Sequence, residues 1–353
     1  MGRFIKFLLK NNGNKEKYLN KTNAILLLLL ALFLSIFIKN NAFAWFALTI
    51  AMFSSIGNDC IQTLGTFLTS NSNVKWWKLS IYIGLIFVIV VSLGWYNYGG
   101  EIHFERLNRI EIHANISTIQ LLAPIILIIL TLFGIPVSTT FLILSTFATQ
   151  DAVESMLAKT FIAYIVAFTS AIAIWFIVYR YFAGYFLKTL NPKSELKWRI
   201  FQWSSTAMLW SAWLMQNTSN VAIFLPRRLE FQDLIIFLCI GLFAIFFILL
   251  NGGGPIQEIV NEKKDVIRVK SATFIDLFYA LILFIFTQTS TTPMATTWVF
   301  LGLLGGREFA LSYFTEGNER RYAKAATLIS KDIALGSFGI LISLMFVYFS
   351  RGL

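Results

Sequence analysis

Leu132-Phe133-Gly134-Ile135-Pro136-Val137-Ser138-Thr139-Thr140 interrupts an apolar run that begins at 119 and resumes from 137 to 149. Ser290-Thr291-Thr292-Pro293-Met294-Ala295-Thr296-Thr297 interrupts a second run, 275–289, which resumes from 294 to 305. Each piece is about 13–15 residues, shorter than the roughly 20 apolar residues a spanning helix needs. Proline lacks an amide hydrogen and its ring clashes one turn back, so it ends or kinks a helix. Two kinked spanning helices fit this pattern. So do two re-entrant hairpins, whose irregular backbone must be surrounded by protein or line a water-filled cavity. The repeat favours the hairpins. Pro136-Val137-Ser138-Thr139-Thr140 recurs as Pro293-Met294-Ala295-Thr296-Thr297, 157 residues later. Interrupted segments at corresponding positions of two halves point to a transporter binding site. A second polar pair keeps the same order: Ser55-Ile56-Gly57-Asn58-Asp59-Cys60 ends one apolar run, and Asn217-Thr218-Ser219-Asn220-Val221 ends another.

The composition sets the medium. Of 353 residues, 57% are hydrophobic and 13% charged, against roughly 25% charged in soluble domains. With a mean hydropathy of +0.70, this excludes a disordered chain and argues against a water-soluble enzyme. An all-α polytopic membrane protein remains. Two cysteines, Cys60 and Cys239, in apolar surroundings do not make a disulfide framework. The two histidines, His103 and His113, read as solvated loop residues rather than metal ligands.

Spanning candidates are 22–38, 42–57, 79–95, 160–182, 203–216, 233–250 and 329–349. The net charge of +11 is unevenly placed: six basic residues lie in 1–21 and four in 183–203. Basic loops face the cytoplasm, so the N-terminus is expected inside a bacterial-type plasma membrane. The first apolar run starts at about Asn23, without a cleavage site after it, so no secretory signal peptide is read. The expected organisation is a basic tail and extra transmembrane helix (1–41), a first repeat (42–182), a cytoplasmic basic linker (183–202) and a second, inverted repeat (203–353). No soluble domain presents a groove for nucleic acid.

Asp59 is the only acid between Glu16 and Glu101. A charge in the bilayer core costs at least about 2.5–3.5 kcal/mol, so Asp59 needs a partner, a cation or a proton. Asn58, Gln62, Thr63 and Thr66 lie within two turns and offer neutral oxygens, a donor set that suits a hard cation such as Na⁺. With no second acid or histidine nearby, acid–base catalysis lacks a partner, and no enzyme is expected. Ser138, Thr139 and Thr140 follow Pro136 where a half-helix would start. Free amides and hydroxyls there would hold an anion, or the hydroxyls would simply cap the helix. Thr296 and Thr297 repeat the arrangement.

Asn58-Asp59-Cys60-Ile61-Gln62-Thr63-Leu64-Gly65-Thr66 resembles the asparagine–aspartate signature of the inorganic phosphate transporter family. Gly134-Ile135-Pro136-Val137-Ser138-Thr139-Thr140 resembles that family's proline–serine–threonine motif, and Thr292-Pro293-Met294-Ala295-Thr296-Thr297 its second copy. The order and spacing match from about residue 42 to the C-terminus, nearly nine-tenths of the chain. The resemblance implies two inverted repeats and phosphate uptake coupled to Na⁺ or H⁺, with no cofactor besides the coupling ion. Carried over, Asn58 and Asp59 become cation and substrate ligands, with Asp59 holding Na⁺ and Gln62 and Thr66 supporting it. Ser138, Thr139, Thr140, Ser219, Asn220, Thr296 and Thr297 become substrate ligands. The family also contains homodimers.

The departures bear on stoichiometry. Gln62 replaces an asparagine, Ala295 replaces the second serine, and Thr218-Ser219-Asn220 retains no acid. Fewer coupled cations are therefore expected. The competing readings are a sulfate or other oxyanion permease of the same fold, a transport-dead sensor, and a membrane enzyme acting on lipid phosphates. The acids of 97–118 and 251–276, read as loop residues, show no metal-ligand spacing for the last of these. Arg227-Arg228 reads as an interfacial anchor, and Arg307-Glu308 as a helix-end ion pair. Gly252-Gly253-Gly254-Pro255 reads as a loop after a span, since no phosphate-loop lysine follows it. Trp76, Trp77, Trp198 and Trp203 fit interfacial belts.

Overall fold

A computed structural model describes residues 41–350 apart from 112–115, 134, 136, 188–191, 255–256, 258–268 and 315–317. The N-terminal tail, the spanning candidate 22–38, His113, Gly134 and Pro136 lie outside the described residues. Among the described residues there are helices and no strands. In chain order these are α1 (Asn41–Ser55), a π-helical turn (Ile56–Cys60), α2 (Ile61–Ser70), α3 (Trp76–Asn97), α4 (Thr118–Leu132), α5 (Thr139–Leu142), a 3₁₀ turn (Leu144–Thr146), α6 (Gln150–Leu187), α7 (Pro192–Asn217), α8 (Ser219–Ala222), α9 (Phe231–Leu250), α10 (Val269–Thr289), α11 (Thr296–Phe314) and α12 (Asn318–Ser350).

Among the described residues, six helical stretches are long and apolar enough to cross a membrane: Ala42–Ser70, Trp76–Asn97, Gln150–Tyr181, Phe231–Leu250, Val269–Thr289 and Ile329–Tyr348. The chain is a multi-pass membrane protein. Its surface supports this. On α3, Ile81, Leu85, Ile89 and Leu93 form an exposed apolar stripe at four-residue spacing, while Ile83, Phe87 and Val91 on the opposite face are buried. Such a stripe facing water would be a strong association site; facing lipid, it is the solvent-compatible side. The interior holds the polar groups, among them Asn58, Asp59, Gln62, Gln202, Gln216, Asn217 and Asp276.

Several expectations need correction. The second interrupted region is not a pair of short pieces: α10 has 21 residues and α11 has 19, and α10 alone is long enough to span. The run resuming at 137 forms only the four-residue α5 and a 3₁₀ turn. The Thr149 hydroxyl then caps a new helix by accepting from the Ala152 amide at 3.4 Å. The stretch expected as a basic linker is largely helical, since α6 runs to Leu187 and α7 begins at Pro192. The 203–216 candidate sits inside α7, which is helical but not among the six apolar spans.

Two helix pairs position the interior, α6 along α11 and α7 along α10. Small residues set the first approach. A Cβ at Gly302 would stand 2.8 Å from the Tyr164 carbonyl oxygen, and one at Gly306 would stand 2.3 Å from that of Phe168. Buried Ala163, Ala167 and Ala171 face them from α6. Small residues four apart let helix backbones touch, which is how helices associate where lipid removes the hydrophobic drive.

Candidate functional site

The span Ala42–Ser70 is regular except at Ile56–Cys60, where five residues, all buried, wind as a π-helix. That segment is Ile-Gly-Asn-Asp-Cys and contains the first polar cluster. The wider turn shifts the register of Asn58 and Asp59 relative to the helix around them; such bulges recur at functional sites.

Asp59 is 1% exposed. One carboxylate oxygen accepts from the Thr139 backbone amide at 3.2 Å, and the other accepts from the Thr297 hydroxyl at 3.1 Å. Thr139 opens α5 and Thr297 lies in the first turn of α11. The acid therefore bridges the two interrupted regions. Asn58 donates to the Val137 carbonyl at 2.9 Å and accepts from Gln62 at 2.6 Å. Thr140 donates to the Met294 carbonyl at 3.2 Å and accepts from Asn220 at 3.2 Å. Asn220 also donates to the Asn217 carboxamide oxygen at 3.1 Å, which lies 3.5 Å from the Thr296 hydroxyl. Residues from 58 to 297 thus join one hydrogen-bonded network. Within it Gln62 Oε1 and Asn220 Oδ1 are buried and have no partner. Buried polar atoms are nearly always satisfied, so these are where a ligand would find free groups.

Three expected site residues stand elsewhere. Ser138 is the N-cap of α5, its hydroxyl accepting from the Phe141 amide at 3.4 Å. Ser219 bonds locally, to the Gln216 carbonyl at 3.3 Å. Thr66 does not hydrogen-bond to Asp59; its hydroxyl donates to Asp276. Asp276 is the residue that sequence reasoning missed. It was placed in a loop, but it lies one-third of the way along α10, fully buried, with its second oxygen accepting from Thr206 at 2.6 Å. One turn on, the Tyr279 hydroxyl donates to the Thr296 carbonyl at 2.8 Å. The available signal was a lone acid inside Ala272-Thr273-Phe274-Ile275-Asp276-Leu277-Phe278-Tyr279, the same pattern that drew attention to Asp59.

The segment between α10 and α11 is held by cations from elsewhere. Arg106 donates to the Ser290 carbonyl and, at 2.6 Å, to that of Thr287. Lys159 donates to the Ser290 carbonyl at 3.1 Å and to that of Thr292, and Arg109 to the Thr292 hydroxyl at 3.2 Å. Two unit charges about 5 Å apart repel by roughly 3 kcal/mol at an effective dielectric of about 20. Burial draws the Arg106 guanidinium down to about 10, which leaves it charged at neutral pH. His103, expected in solvent, is 1% exposed. Burial, reinforced by Arg227, holds it down to about 4, although Glu101 stands 3.4 Å away. Arg227 is itself lowered by burial and donates to the Ile110 carbonyl at 2.9 Å. It therefore ties the 98–111 loop to the start of α9. The Arg307–Glu308 pair exists, at 2.6 Å, but in the interior of α11 rather than at its end.

Among the described residues no three His, Cys, Asp or Glu side chains group as metal ligands would. One carboxylate with hydroxyl and carboxamide groups around it can bind a proton or a hard monovalent cation together with a small anion. No protein-family model, no characterised protein and no solved structure matches the chain.

Proposed function

We propose that the chain is a secondary active transporter for inorganic phosphate, coupled to Na⁺ or H⁺, working by alternating access of two inverted repeats at 42–182 and 203–353. The basic N-terminal tail favours an orientation with that end in the cytoplasm of a bacterial-type plasma membrane. The observation that carries the proposal is the bridging carboxylate: Asp59 takes one donor from each interrupted region, the Thr139 amide and the Thr297 hydroxyl.

That geometry suggests how coupling works. A charged Asp59 occupies the two donors that an oxyanion would need. A proton or Na⁺ on Asp59 neutralises it, weakens its hold on both and releases them to the substrate. Cation and anion then favour each other's binding, and by linkage the effect is reciprocal. Gln62 Oε1 and Asn220 Oδ1 supply neutral cation ligands, and Thr140 and Thr296 place further hydroxyls in the same network. Hydrogen phosphate can donate a proton to a carboxylate and sulfate cannot, which favours phosphate over sulfate. Asp276 gives the second half a buried acid of its own, despite its loss from Thr218-Ser219-Asn220, and so favours a second coupling ion.

The test is uptake of labelled phosphate into proteoliposomes, with and without a Na⁺ gradient, competed by sulfate. Uptake driven by a Na⁺ or proton gradient is the expected result. Sulfate uptake without phosphate uptake would replace the substrate. Failure of well-folded protein to move either anion would overturn the transporter reading.

A further inference from the structure

Arg106, Arg109 and Lys159 come from a loop and from α6, yet their heads meet on Ser290–Thr292. Arg106 and Lys159 share one acceptor, the Ser290 carbonyl. What they bond to is weakly negative: carbonyls just past the C-terminus of α10, where a helix presents roughly half a unit of negative charge. Among the described residues, no ion pair joins any of the three to an acid. The nearby acids do not balance them. Glu101 lies between His103 and Arg228, at 3.4 and 3.7 Å, and Glu105, beside Arg106, is exposed. Positive charge is left over at a point where Arg106 is 2% and Lys159 8% exposed. Arg106 also keeps its Nε buried without an acceptor. Arg109 is exposed, so the cluster opens to the surface.

We propose that Arg106, Arg109 and Lys159 form an anion-docking site at this end of the helix bundle. Its ligand is a phosphate-type oxyanion, either free or carried on a lipid headgroup. Guanidinium forks match tetrahedral oxyanions, and a lysine adds a compact charge. The site is separate from the Asp59 network, and its binding does not depend on the transport reading. It sits on the segment that leads directly into Thr296 and Thr297, so an anion docked there rests against the backbone that carries those hydroxyls.

The test uses the full chain in phospholipid-free detergent at low ionic strength, where screening is weak. Labelled inorganic phosphate is one probe and short-chain phosphatidylglycerol the other. Arg109→Gln and Lys159→Gln are compared with wild type and with Lys78→Gln, which removes an exposed cation at the opposite end of α3 from the 98–111 loop. Arg109→Gln gives up a single contact to one hydroxyl, so it reports on binding even where Lys159→Gln disturbs folding. The expected result is at least tenfold weaker binding in both cluster variants, steep salt dependence, and little change in Lys78→Gln. Phosphate binding of this kind identifies a free oxyanion as the ligand; the same pattern for phosphatidylglycerol alone identifies a headgroup. Binding that the cluster variants leave unchanged, or no binding of either probe, overturns the site.

Discussion

The two interrupted regions carry the same proline and the same pair of threonines, but they are supported differently. The first is held from within the bilayer-buried core by neutral and acidic groups: Asn58 takes the Val137 carbonyl, Asp59 takes the Thr139 amide, and Ser138 caps a single helical turn. The second is held at its outer end by cations on carbonyls, and then runs into a 19-residue helix locked against α6. Among the described residues, Asp59 and Thr140 reach across, to Thr297 and Met294. The difference teaches that the repeated motif marks where the backbone breaks, while long-range partners decide what each break does. The two breaks share one acid, and the second alone also receives three bases.

Removing the acid should have the largest effect. Asp59→Asn leaves the side chain's shape but takes its charge from two hydrogen bonds, and bonds to charged groups are worth about 1.5–3 kcal/mol each. Cation-dependent phosphate uptake should fall to background while the protein still folds, read by proteoliposome uptake beside a thermal melt in detergent. Uptake at the wild-type rate would sink the ion-site role.

Next comes the lock on the second region alone. Gly306→Val puts a Cβ 2.3 Å from the Phe168 carbonyl oxygen, and a backbone atom cannot swing aside. The cost should reach or exceed about 3 kcal/mol, the top of the usual range for overpacking. The melt should drop by more than for the same change at Gly305, whose Cβ would meet side chains at 3.4 Å.

Acid should loosen the same region by another route. The 98–111 loop that delivers Arg106 and Arg109 also buries His103, held down to about 4. An unfolded histidine titrates near 6.5, so between these values the unfolded state binds more protons and stability rises with pH. The full contribution is present above about pH 6.5 and is lost as pH falls toward 4. It is at most about 3 kcal/mol. Glu101, Arg227 and Arg228 are the charged groups around the imidazole. Melting temperatures from pH 7 to 4 should fall more steeply in wild type than in His103→Gln. Parallel curves would mean that protonation of His103 does not open the loop.

The positions of both breaks, the buried acid and its partner Thr297 were legible because each is a local event: a proline in an apolar run with hydroxyls after it, or the one acid between Glu16 and Glu101. Asp276 was not, because its partners Thr66 and Thr206 are 210 and 70 residues away and it lies at the end of a run, 251–276, read as a loop. The burial of His103, Arg106 and Lys159 was hidden for the same reason. Loop charges look solvated until the segment they cover is known, and that segment lies more than 130 residues downstream of Lys159. The π-helical turn had no signal in composition at all.

The smallest predicted effect compares the breaks at one matched position. Ser138 caps α5 through the Phe141 amide, and Ala295 precedes α11 where a cap would stand, its carbonyl accepting from the Trp298 amide at 3.2 Å. Losing an N-cap serine costs about 1 kcal/mol. Ser138→Ala should therefore lower the melt slightly, and the apparent phosphate constant should stay within about twofold if the hydroxyl only caps. A larger rise in that constant would return Ser138 to the substrate ligands. Ala295→Ser asks the opposite question. Residue 295 is fully buried and its amide already bonds the Thr160 hydroxyl at 3.1 Å, so a new hydroxyl gains nothing unless it reaches the Trp298 amide. A stabilisation of up to about 1 kcal/mol would show that the second break can be capped as the first is. A loss would show that packing against α6 has already fixed this break, leaving no room for the serine that the repeat would put there.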